Sequence, residues 1–279
     1  MQLLAFMKRI LTALVALPIL LYTIWSPIPF VFVVLVATVT VLALWEFYGL
    51  AAKAGSAPSR AAGYVAGLLV LLSFVLGRPE LTIGVLAALA FVTLCLELRR
   101  PDGFGKSIFS VSATVFGVVY VGLLMGFLVG VRMIPDVEAI GHLAAKFLTF
   151  FLAVVMLTDT GAYYTGRAMG RHKLAPMVSP GKTVEGSIGG LVTGIVAGAA
   201  CKAIFFKELP VLDALILGAS VSLAGQAGDL FESMLKRGSA VKDSSHLIPG
   251  HGGMLDRLDS ILFAAPLIYY YSRLLLSRH

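Results

Sequence analysis

Residues 179–200 read SPGKTVEGSIGGLVTGIVAGAA, and two different folds can be built on this stretch. Its Gly181, Lys182 and Thr183 match the end of a Walker-type loop, GxxxxGK(S/T), whose first glycine closes the turn around phosphate oxygens. The position of that first glycine is held by Pro176. Because the loop cannot close and the residues that follow are apolar and rich in glycine, the stretch favours the start of a membrane helix.

The composition of the whole chain supports this interpretation. Of its 279 residues, 58% are hydrophobic and 13% are charged, and the mean hydropathy is +0.93. Soluble domains carry about 25% charged residues, so we predict an all-α, polytopic integral membrane protein. A span needs about 20 mainly apolar residues, and we count about nine candidates. They lie near 10–26, 28–50, 62–77, 81–98, 108–131, 144–165, 186–206, 211–228 and 258–276.

The basic residues predict the orientation of the chain in the membrane. With nine spans, the loops on the side of the N-terminus carry most of the lysines and arginines. Because cytoplasmic loops are enriched in these residues, we predict a cytoplasmic N-terminus and an external C-terminus. Lys8 and Arg9 precede the first span, and no small-residue cleavage site follows it, so we interpret this span as an uncleaved anchor.

The chain divides into two regions of different character. Residues 1–140 hold five spans, which we expect to serve packing, dimerisation and contact with lipid. Their Glu46 and Glu97 lie near span ends, where snorkelling or a packing hydrogen bond would account for them. Residues 141–279 form the predicted catalytic region, with its active site at the cytoplasmic membrane face. This region contains the two long polar loops, 166–185 and 229–257.

The start of the seventh span has the features of a helix N-terminus that binds an anion. Ser179 or Thr183 can cap the helix, and Pro180 suits its first turn. Glu185 complements the helix dipole. With Lys182 beside it, such a helix start can bind phosphate without a Walker loop.

Glycines recur every four residues along the seventh span. In a helix they form a smooth stripe that lets a neighbouring helix approach closely in lipid. Close packing would hold the start of the span rigidly. The stripe consists of Gly186, Gly190, Gly194 and Gly198.

A run of polar residues directly follows the eighth span. In a helix these residues lie on one face. Ionisable groups so close to a membrane are costly and usually functional; the alternative is a solvated face with an ion pair between Glu232 and Lys236. The run consists of Asp229, Glu232, Ser233, Lys236 and Arg237.

The segment before the last span combines irregular backbone with carboxylates. Pro249 and three glycines predict a loop, and Asp256 and Asp259 then lie on one face of the span entry. Mg²⁺ binds carboxylates and substrate phosphates. Since Asp229 and Asp256 lie at the cytoplasmic mouths of consecutive spans, they could share such an ion. His251 suits either a ligand contact or a structural hydrogen bond.

A third group of polar residues begins within the sixth span. Asp159, Tyr163 and Arg167 are spaced by four residues on one helical face. Asp159 is a carboxylate at membrane depth and needs a partner there. Three further cations, either functional or topogenic, follow at the membrane surface. They are Arg171, His172 and Lys173.

Together these segments place carboxylates and many cations at one cytoplasmic membrane surface. This combination suits a nucleoside triphosphate with Mg²⁺ and an anionic lipid headgroup, and no nucleic-acid partner is expected. The sequence contains no Ser-His-Asp pattern and no soft-metal cluster. The pattern therefore indicates phosphoryl or nucleotidyl transfer at the membrane surface.

The C-terminal motif resembles the signature of the phosphatidate cytidylyltransferases, or CDP-diacylglycerol synthases. It reads Ser233-Met-Leu-Lys236-Arg237, Lys242-Asp243, Pro249, His251-Gly252-Gly253 and Asp256-Arg257-Leu-Asp259. The upstream block DTGAYYTGRAMGRHKLAPMVSPGKTVEG is also similar to that family, in which lysine often stands at the position of Gly181. The resemblance covers roughly residues 158–260.

The resemblance implies the reaction of CTP with phosphatidate to give CDP-diacylglycerol and pyrophosphate, with Mg²⁺ as cofactor; the sequence leaves the presence of a second ion open. The resemblance also implies a homodimer, and we expect a cytoplasmic (inner) membrane of bacterial type. Our own hypothesis for the roles is that Asp229 and Asp256 are the metal ligands and form the catalytic set with Lys236 and Arg237. Asp159 is a candidate polar site within the membrane. The expected substrate-binding residues are Arg167, Arg171, Lys173, Lys182, Thr183, Glu185, Ser233, Lys242, Asp243, His251, Arg257 and Asp259.

Two alternatives belong to other functional classes. A CTP-dependent kinase of the polyprenol or phytol type would phosphorylate an alcohol, need a base for the hydroxyl and release CDP. A membrane transporter would use Asp159 and the glycine-rich helices as an ion path. Transporters often show inverted repeats and a site at the bilayer midplane, whereas this chain shows no repeat and gathers its charges at one face.

Overall fold

The computed structural model describes residues 2–99, 104–135, 141–245, 247 and 252–276, with side chains described from residue 14 onward. A helix coincides with each apolar stretch predicted above. The helices are α1 (Gln2–Trp25), α2 (Pro29–Lys53), α3 (Arg60–Val75), α4 (Leu81–Glu97), α5 (Ser107–Gly117), α6 (Leu124–Arg132), α7 (Leu143–Met169), α8 (Val184–Ile204), α9 (Val211–Gly238) and α10 (Leu255–Leu276). A π-helical turn, Val118–Leu123, joins α5 to α6, so these two form one continuous helix.

Five helices of the described chain are long and apolar enough to cross a membrane. They are α2, the continuous helix Ser107–Arg132, α7, α8 and α9. Shorter apolar helices cover Leu14–Trp25, Arg60–Val75 and Leu81–Glu97. The protein is therefore a multi-pass helical membrane protein, while nine spans and their orientation stay predictions.

The sequence had suggested a simple loop for the first long polar segment, and the structure differs. Helix α7 continues to Met169, and a hairpin follows in which β1 (Lys173–Ala175) pairs antiparallel with β2 (Ser179–Thr183). In the described part of the chain this hairpin is the one sheet among helices. Pro180 lies in β2 rather than in the first turn of α8. A two-stranded ribbon tolerates a proline because each strand has an edge that needs no donor.

The second polar segment is shorter than predicted because α9 continues to Gly238. Its 28 residues span about 42 Å at 1.5 Å per residue. The hydrocarbon core of a bilayer is only about 30 Å thick. The polar end of α9 can therefore extend beyond the apolar part as regular helix, and the prediction of a loop is wrong for residues 229–238.

The described chain forms two compact units, of which the first comprises residues 1–133 and 235–257. Its core contains Tyr48, which is fully buried and donates a hydrogen bond to the Thr114 carbonyl oxygen at 3.0 Å. Glycines make room for this ring, because a methyl group at Gly63 would lie 2.0 Å from its hydroxyl and one at Gly117 would lie 2.6 Å from the ring. These contacts fix the C-terminal half of α2.

The second unit comprises residues 134–234 and 258–279. Within it the predicted glycine stripe packs α8 against two helices. Gly186 and Gly190 face α7, while Gly198 lies against α9, where an added methyl group would be 2.5 Å from the Ala214 carbonyl oxygen. The division of the chain near residue 140 concerned function, and this grouping of contacts does not test it.

The stripe predicts a specific loss of stability. A methyl group at Gly186 would lie 2.8 Å from the carbonyl oxygen of Ala162 and 3.1 Å from the Cα atom of Gly166, and backbone cannot move aside easily. We expect Gly186→Ala to lower the free energy of unfolding by about 1–3 kcal/mol, as overpacking does. Thermal unfolding of the purified protein in detergent measures this change.

Gly181→Ala is the matched control for this substitution. Nothing lies within 4 Å of a methyl group at Gly181, five residues away in the chain. We expect its thermal unfolding to match that of the unchanged protein. Equal unfolding temperatures for the two variants would contradict the tight packing of α7 on α8.

Candidate active site

Two clusters of polar side chains, each inside one unit, contain several of the predicted functional residues. We call the first the hairpin cluster, which lies in the second unit and consists of His172, Lys182, Thr183, Glu185 and Asp229. We call the second the loop cluster, which lies in the first unit and consists of Glu46, Lys236, Ser244, Gly253 and Asp256.

An ion pair forms the centre of the hairpin cluster. Lys182 Nζ lies 2.7 Å from Asp229 Oδ2, and the two side chains are 25% and 34% exposed. A pair as accessible as this contributes at most about 1 kcal/mol to stability. The two groups can therefore separate at low cost, so that the ammonium can bind an anion and the carboxylate a cation.

Thr183 caps the helix that follows this lysine. Its backbone is extended, and its hydroxyl oxygen accepts a hydrogen bond from the Gly186 N–H at 3.1 Å. Of the two caps that the sequence allowed, Thr183 is confirmed, while Ser179 lies at the start of β2. Lys182 therefore immediately precedes the N-terminus of α8, where unpaired N–H groups and the helix dipole favour negative charge.

Glu185 lies in the first turn of α8, as predicted, and ties the base of the hairpin to that helix. Its carboxylate accepts hydrogen bonds from the Arg171 N–H at 3.0 Å and the His172 N–H at 3.2 Å. Its other oxygen lies 2.6 Å from Nδ1 of His172, an exposed ring. Through these contacts Glu185 orients the hairpin that carries Lys182.

The remaining cations of this region lie on the surface. Arg167, Arg171 and Lys173 are all exposed. The predicted helical face on α7 is confirmed, since Arg167 Nη1 donates to the Tyr163 hydroxyl at 3.1 Å. Asp159 is exposed two turns earlier on the same helix. All four side chains are accessible to a ligand.

A polar bridge between α8 and α9 was missed by the sequence analysis. The Ser187 hydroxyl donates to Gln226 Oε1 at 2.5 Å, and Gln226 Nε2 donates to the Ser187 carbonyl oxygen at 3.3 Å. The only signal in the sequence was an amide on an apolar helix, three residues before Asp229. The bridge fixes the start of α8 against the turn of α9 that carries Asp229.

Asp256 is the centre of the loop cluster and is only 8% exposed. Its Oδ1 lies 2.7 Å from Lys236 Nζ. Its Oδ2 accepts hydrogen bonds from the Ser244 N–H at 3.2 Å and the Gly253 N–H at 2.8 Å. It also lies 3.0 Å from the Ser244 hydroxyl oxygen, whose one proton it shares with Glu46. Protein donors thus occupy most of the accepting positions of this carboxylate.

Glycines permit the close approach of the backbone to Asp256. Gly252 has a φ of +79°, which disfavours other residues, and a methyl group there would lie 2.8 Å from Asp256 Oδ2. At Gly253 a methyl group would lie 1.9 Å from the Ser244 hydroxyl oxygen. The paired glycines of the motif are therefore required by the contacts of its aspartate.

Glu46 on α2 completes the loop cluster, although snorkelling or a packing hydrogen bond was the role expected from the sequence. It is 2% exposed and accepts four hydrogen bonds from the segment around Asp256. The packing hydrogen bond considered from the sequence is therefore present, but it connects α2 to the motif loop. The signal for this role in the sequence was a single carboxylate within an apolar helix.

The other described motif residues differ in exposure. Arg237, Lys242, Asp243 and Arg257 are exposed, and Ser233 is half-buried. Asp259 is also half-buried, and its Oδ1 accepts from the Ser260 N–H at 2.6 Å. Pro249 and His251 lie outside the described residues, so the roles expected for them stay predictions.

Glu232 does not lie on a solvated face. It is fully buried, and Lys236 pairs with Asp256. The alternative of a solvated face is therefore wrong at Glu232. Because Glu232 is buried while Asp229 on the same helix is a third exposed, only part of the predicted polar face is available to a ligand.

The acidic side chains of the two clusters determine whether the protein can bind a magnesium ion. Within the described ranges, no group of three or more His, Cys, Asp or Glu side chains could hold a metal ion alone. Mg²⁺ needs only one or two carboxylates when substrate phosphates and water complete its coordination. Asp229 fits this requirement, since it is a third exposed and only its Oδ2 contacts Lys182. Asp256 is more enclosed, and whether the two share an ion stays a prediction.

Comparison with known proteins gives one consistent result. Residues 7–275 match the sequence model of the Cytidylyltransferase family. The chain is 31% identical to the phosphatidate cytidylyltransferase of Bacillus subtilis (strain 168) over 275 residues, which cover 94% of this chain and 96% of that protein. It is 38% identical to the phosphatidate cytidylyltransferase of Staphylococcus saprophyticus over 189 residues, 68% of each chain. The protein of the same name from Staphylococcus aureus (strain COL) is 39% identical over 185 residues, 66% of each chain.

Proposed function

Because the chain belongs to the cytidylyltransferase family, we propose that it transfers the cytidylyl group of CTP to phosphatidate, giving CDP-diacylglycerol and pyrophosphate. The names of its relatives support this substrate pair. The structural observation that carries the proposal is the accessible pair of Lys182 and Asp229 beside the capped N-terminus of α8. This arrangement offers one site for phosphate and one for a cation.

The proposed reaction needs no general base. An oxygen of the phosphatidate phosphate attacks the α-phosphorus of CTP. The bond from that phosphorus to the bridging oxygen of the β-phosphate breaks, and pyrophosphate leaves with the electron pair. The second pKa of a phosphate monoester is about 6, so the attacking oxygen is already ionised near pH 7. The protein's contribution is therefore positioning and neutralisation of charge.

We assign the charged residues to that task. Lys182, with the dipole of α8 behind it, binds a phosphate group. The other cations proposed to share the triphosphate and the lipid phosphate are Arg167, Lys173, Lys236 and Arg237. We propose that Asp229 and Asp256 hold Mg²⁺, which when bound offsets the repulsion between the two polyanionic substrates. Asp229 can do so once Lys182 has turned to a phosphate.

We further propose that the protein acts as a homodimer in a bacterial cytoplasmic membrane, with the N-terminus and both clusters facing the cytoplasm. The uneven distribution of basic residues supports this orientation. The dimer is supported by the family resemblance of the sequence. Labelling of single cysteines introduced at Lys53 or Arg78 in a variant without Cys95 and Cys201, on loops predicted to face opposite sides, tests the orientation.

One assay separates the proposed function from its alternatives. Purified protein is incubated with Mg²⁺, with CTP labelled at either the α- or the γ-phosphate, and with phosphatidate, a polyprenol or phytol as the acceptor. We expect α-label in the lipid fraction and γ-label in pyrophosphate. Transfer of γ-label to a polyprenol or phytol, with release of CDP, would instead identify the lipid kinase. The absence of transfer together with ion flux in vesicles would identify the transporter.

Removal of divalent ions is expected to abolish the transfer reversibly. Without a cation, the carboxylate of Asp229 stays paired with Lys182 and the charges of the two substrates repel each other. We expect EDTA to lower the rate at least about a hundredfold, and excess Mg²⁺ to restore it. Thermal unfolding in EDTA serves as the control and should be unchanged. Full activity in EDTA would contradict the metal assignment.

A further inference from the structure

We propose that Glu46 is a positioning residue, whose buried carboxylate holds the two described ends of the motif segment, Ser244–Ser245 and Met254–Leu255, and thereby fixes Asp256 and Lys236. The expected effect on catalysis rests on the proposed function, whereas the contacts of Glu46 are independent of it. It brings α2 of the N-terminal region into the active machinery, although the sequence assigned that region to packing.

The first observation is the environment of the carboxylate. Glu46 lies on α2, one of the helices apolar enough to cross a membrane, and is 2% exposed. Burial of an ionised carboxylate costs several kcal/mol unless it is paired or hydrogen-bonded. A side chain with this cost in an apolar helix is stabilised only if specific donors surround it.

The second observation is the identity of the donors. Glu46 Oε1 accepts from the Ser245 hydroxyl at 2.5 Å and the Met254 N–H at 2.8 Å. Glu46 Oε2 accepts from the Ser244 hydroxyl at 2.9 Å and the Leu255 N–H at 2.7 Å. One carboxylate therefore connects both ends of the segment. Leu255 is the first residue of α10, so Glu46 also satisfies N–H groups at the start of that helix.

The third observation is the link to Asp256. The Ser244 hydroxyl oxygen lies 2.9 Å from Glu46 Oε2 and 3.0 Å from Asp256 Oδ2. The Ser244 N–H donates to Asp256 as well. Displacement of Ser244 from Glu46 would therefore displace the donors that orient Asp256, and with it the partner of Lys236.

Gly253 supports the same conclusion from the opposite side. A methyl group there would lie 2.6 Å from Glu46 Oε2, in addition to its clash with Ser244. The glycine of the motif thus leaves space for Glu46 itself. A residue that only filled a gap between helices would not require this fit to the loop.

Glu46→Gln tests the proposal with little change in volume. In either orientation, its amide NH₂ group faces one serine hydroxyl and one backbone N–H, and the N–H cannot turn away. We expect kcat to fall about 10- to 100-fold, while KM for CTP changes less than about threefold. We also expect trypsin to cut at Lys242, an exposed lysine two residues before Ser244, about tenfold faster without substrate, because local opening becomes easier.

Glu97→Gln is the matched control, since Glu97 is a buried carboxylate of α4 in the same unit. We expect its kcat to stay within about twofold and cleavage at Lys242 to be unchanged. Glu46→Asp, which keeps the charge, should recover part of both effects. If Glu46→Gln does not fold, Ser245→Ala removes a single donor and should accelerate cleavage about threefold.

The outcomes separate this proposal from the proposed function. If the unchanged protein does not transfer the cytidylyl group, the proposed function fails, and the cleavage rates still test the role of Glu46. Unchanged cleavage in both Glu46→Gln and Ser245→Ala would overturn the proposal. Faster cleavage with unchanged kcat would show that the segment is held for stability alone, and so would an equal loss in Glu97→Gln.

Discussion

Replacement of Asp229 by asparagine is expected to lower the rate of cytidylyl transfer about a thousandfold while leaving the protein folded. Asparagine lacks the charge that binds a hard cation, and it leaves the charge of Lys182 without its partner. The effect on stability should be at most about 1 kcal/mol, because the pair is accessible to solvent. Pyrophosphate release and thermal unfolding of the same preparation measure the two quantities.

Asp213→Asn provides the control for Asp229→Asn. Asp213 lies near the other end of the same helix and accepts a hydrogen bond from the Tyr271 hydroxyl at 2.6 Å, which an asparagine oxygen can also accept. We expect activity within about twofold of the unchanged protein. Near-normal pyrophosphate release by Asp229→Asn would remove this residue from the metal site.

Asp256→Asn is expected to lose activity to a similar extent, but it should also destabilise the protein. The carboxylate is 8% exposed and accepts from Lys236, Ser244 and Gly253. If the asparagine oxygen stays toward Ser244 and Gly253, its NH₂ group faces the Lys236 ammonium, a contact between two donors. We expect a loss of about 2–4 kcal/mol in the free energy of unfolding, as for a broken buried pair. Chemical unfolding in detergent measures it.

A double variant separates the two effects of Asp256→Asn. Lys236→Met removes the ammonium that the new NH₂ group would face. We expect the double variant to be more stable than Asp256→Asn alone, with no recovery of activity. Near-normal pyrophosphate release by Asp256→Asn would contradict its assignment as a metal ligand, and equal stability of the single and double variants would contradict the described pairing.

The sequence predicted the helices well because the membrane imposes a simple rule. A span must be apolar over a fixed length, so apolar stretches alone placed a helix at every position where the structure has one. The rule does not apply where the chain leaves the lipid. The hairpin Lys173–Thr183 and the extension of α9 to Gly238 are held by local hydrogen bonds and helical continuity, which hydropathy does not report.

The candidate site could be predicted in its residues but not in its contacts. Spacing and family resemblance identified Lys182, Asp229 and Asp256. The neighbours of these side chains come from other parts of the chain: Glu46 and Ser244 are separated by 198 positions. Such a contact leaves only a weak trace in a single sequence, in this case one carboxylate among apolar residues.

The pairing of Lys182 with Asp229 has a thermodynamic consequence for substrate binding. An anion that draws Lys182 away frees Asp229 for a cation, and a cation on Asp229 frees the ammonium for an anion. Such linkage is reciprocal, so each ligand must raise the affinity for the other by the same factor. At about 1 kcal/mol for an accessible pair, the factor is about fivefold. The protein should therefore bind magnesium and nucleotide more tightly together than either one alone. The ion pair thus disfavours occupation of the site by only one of the two ligands.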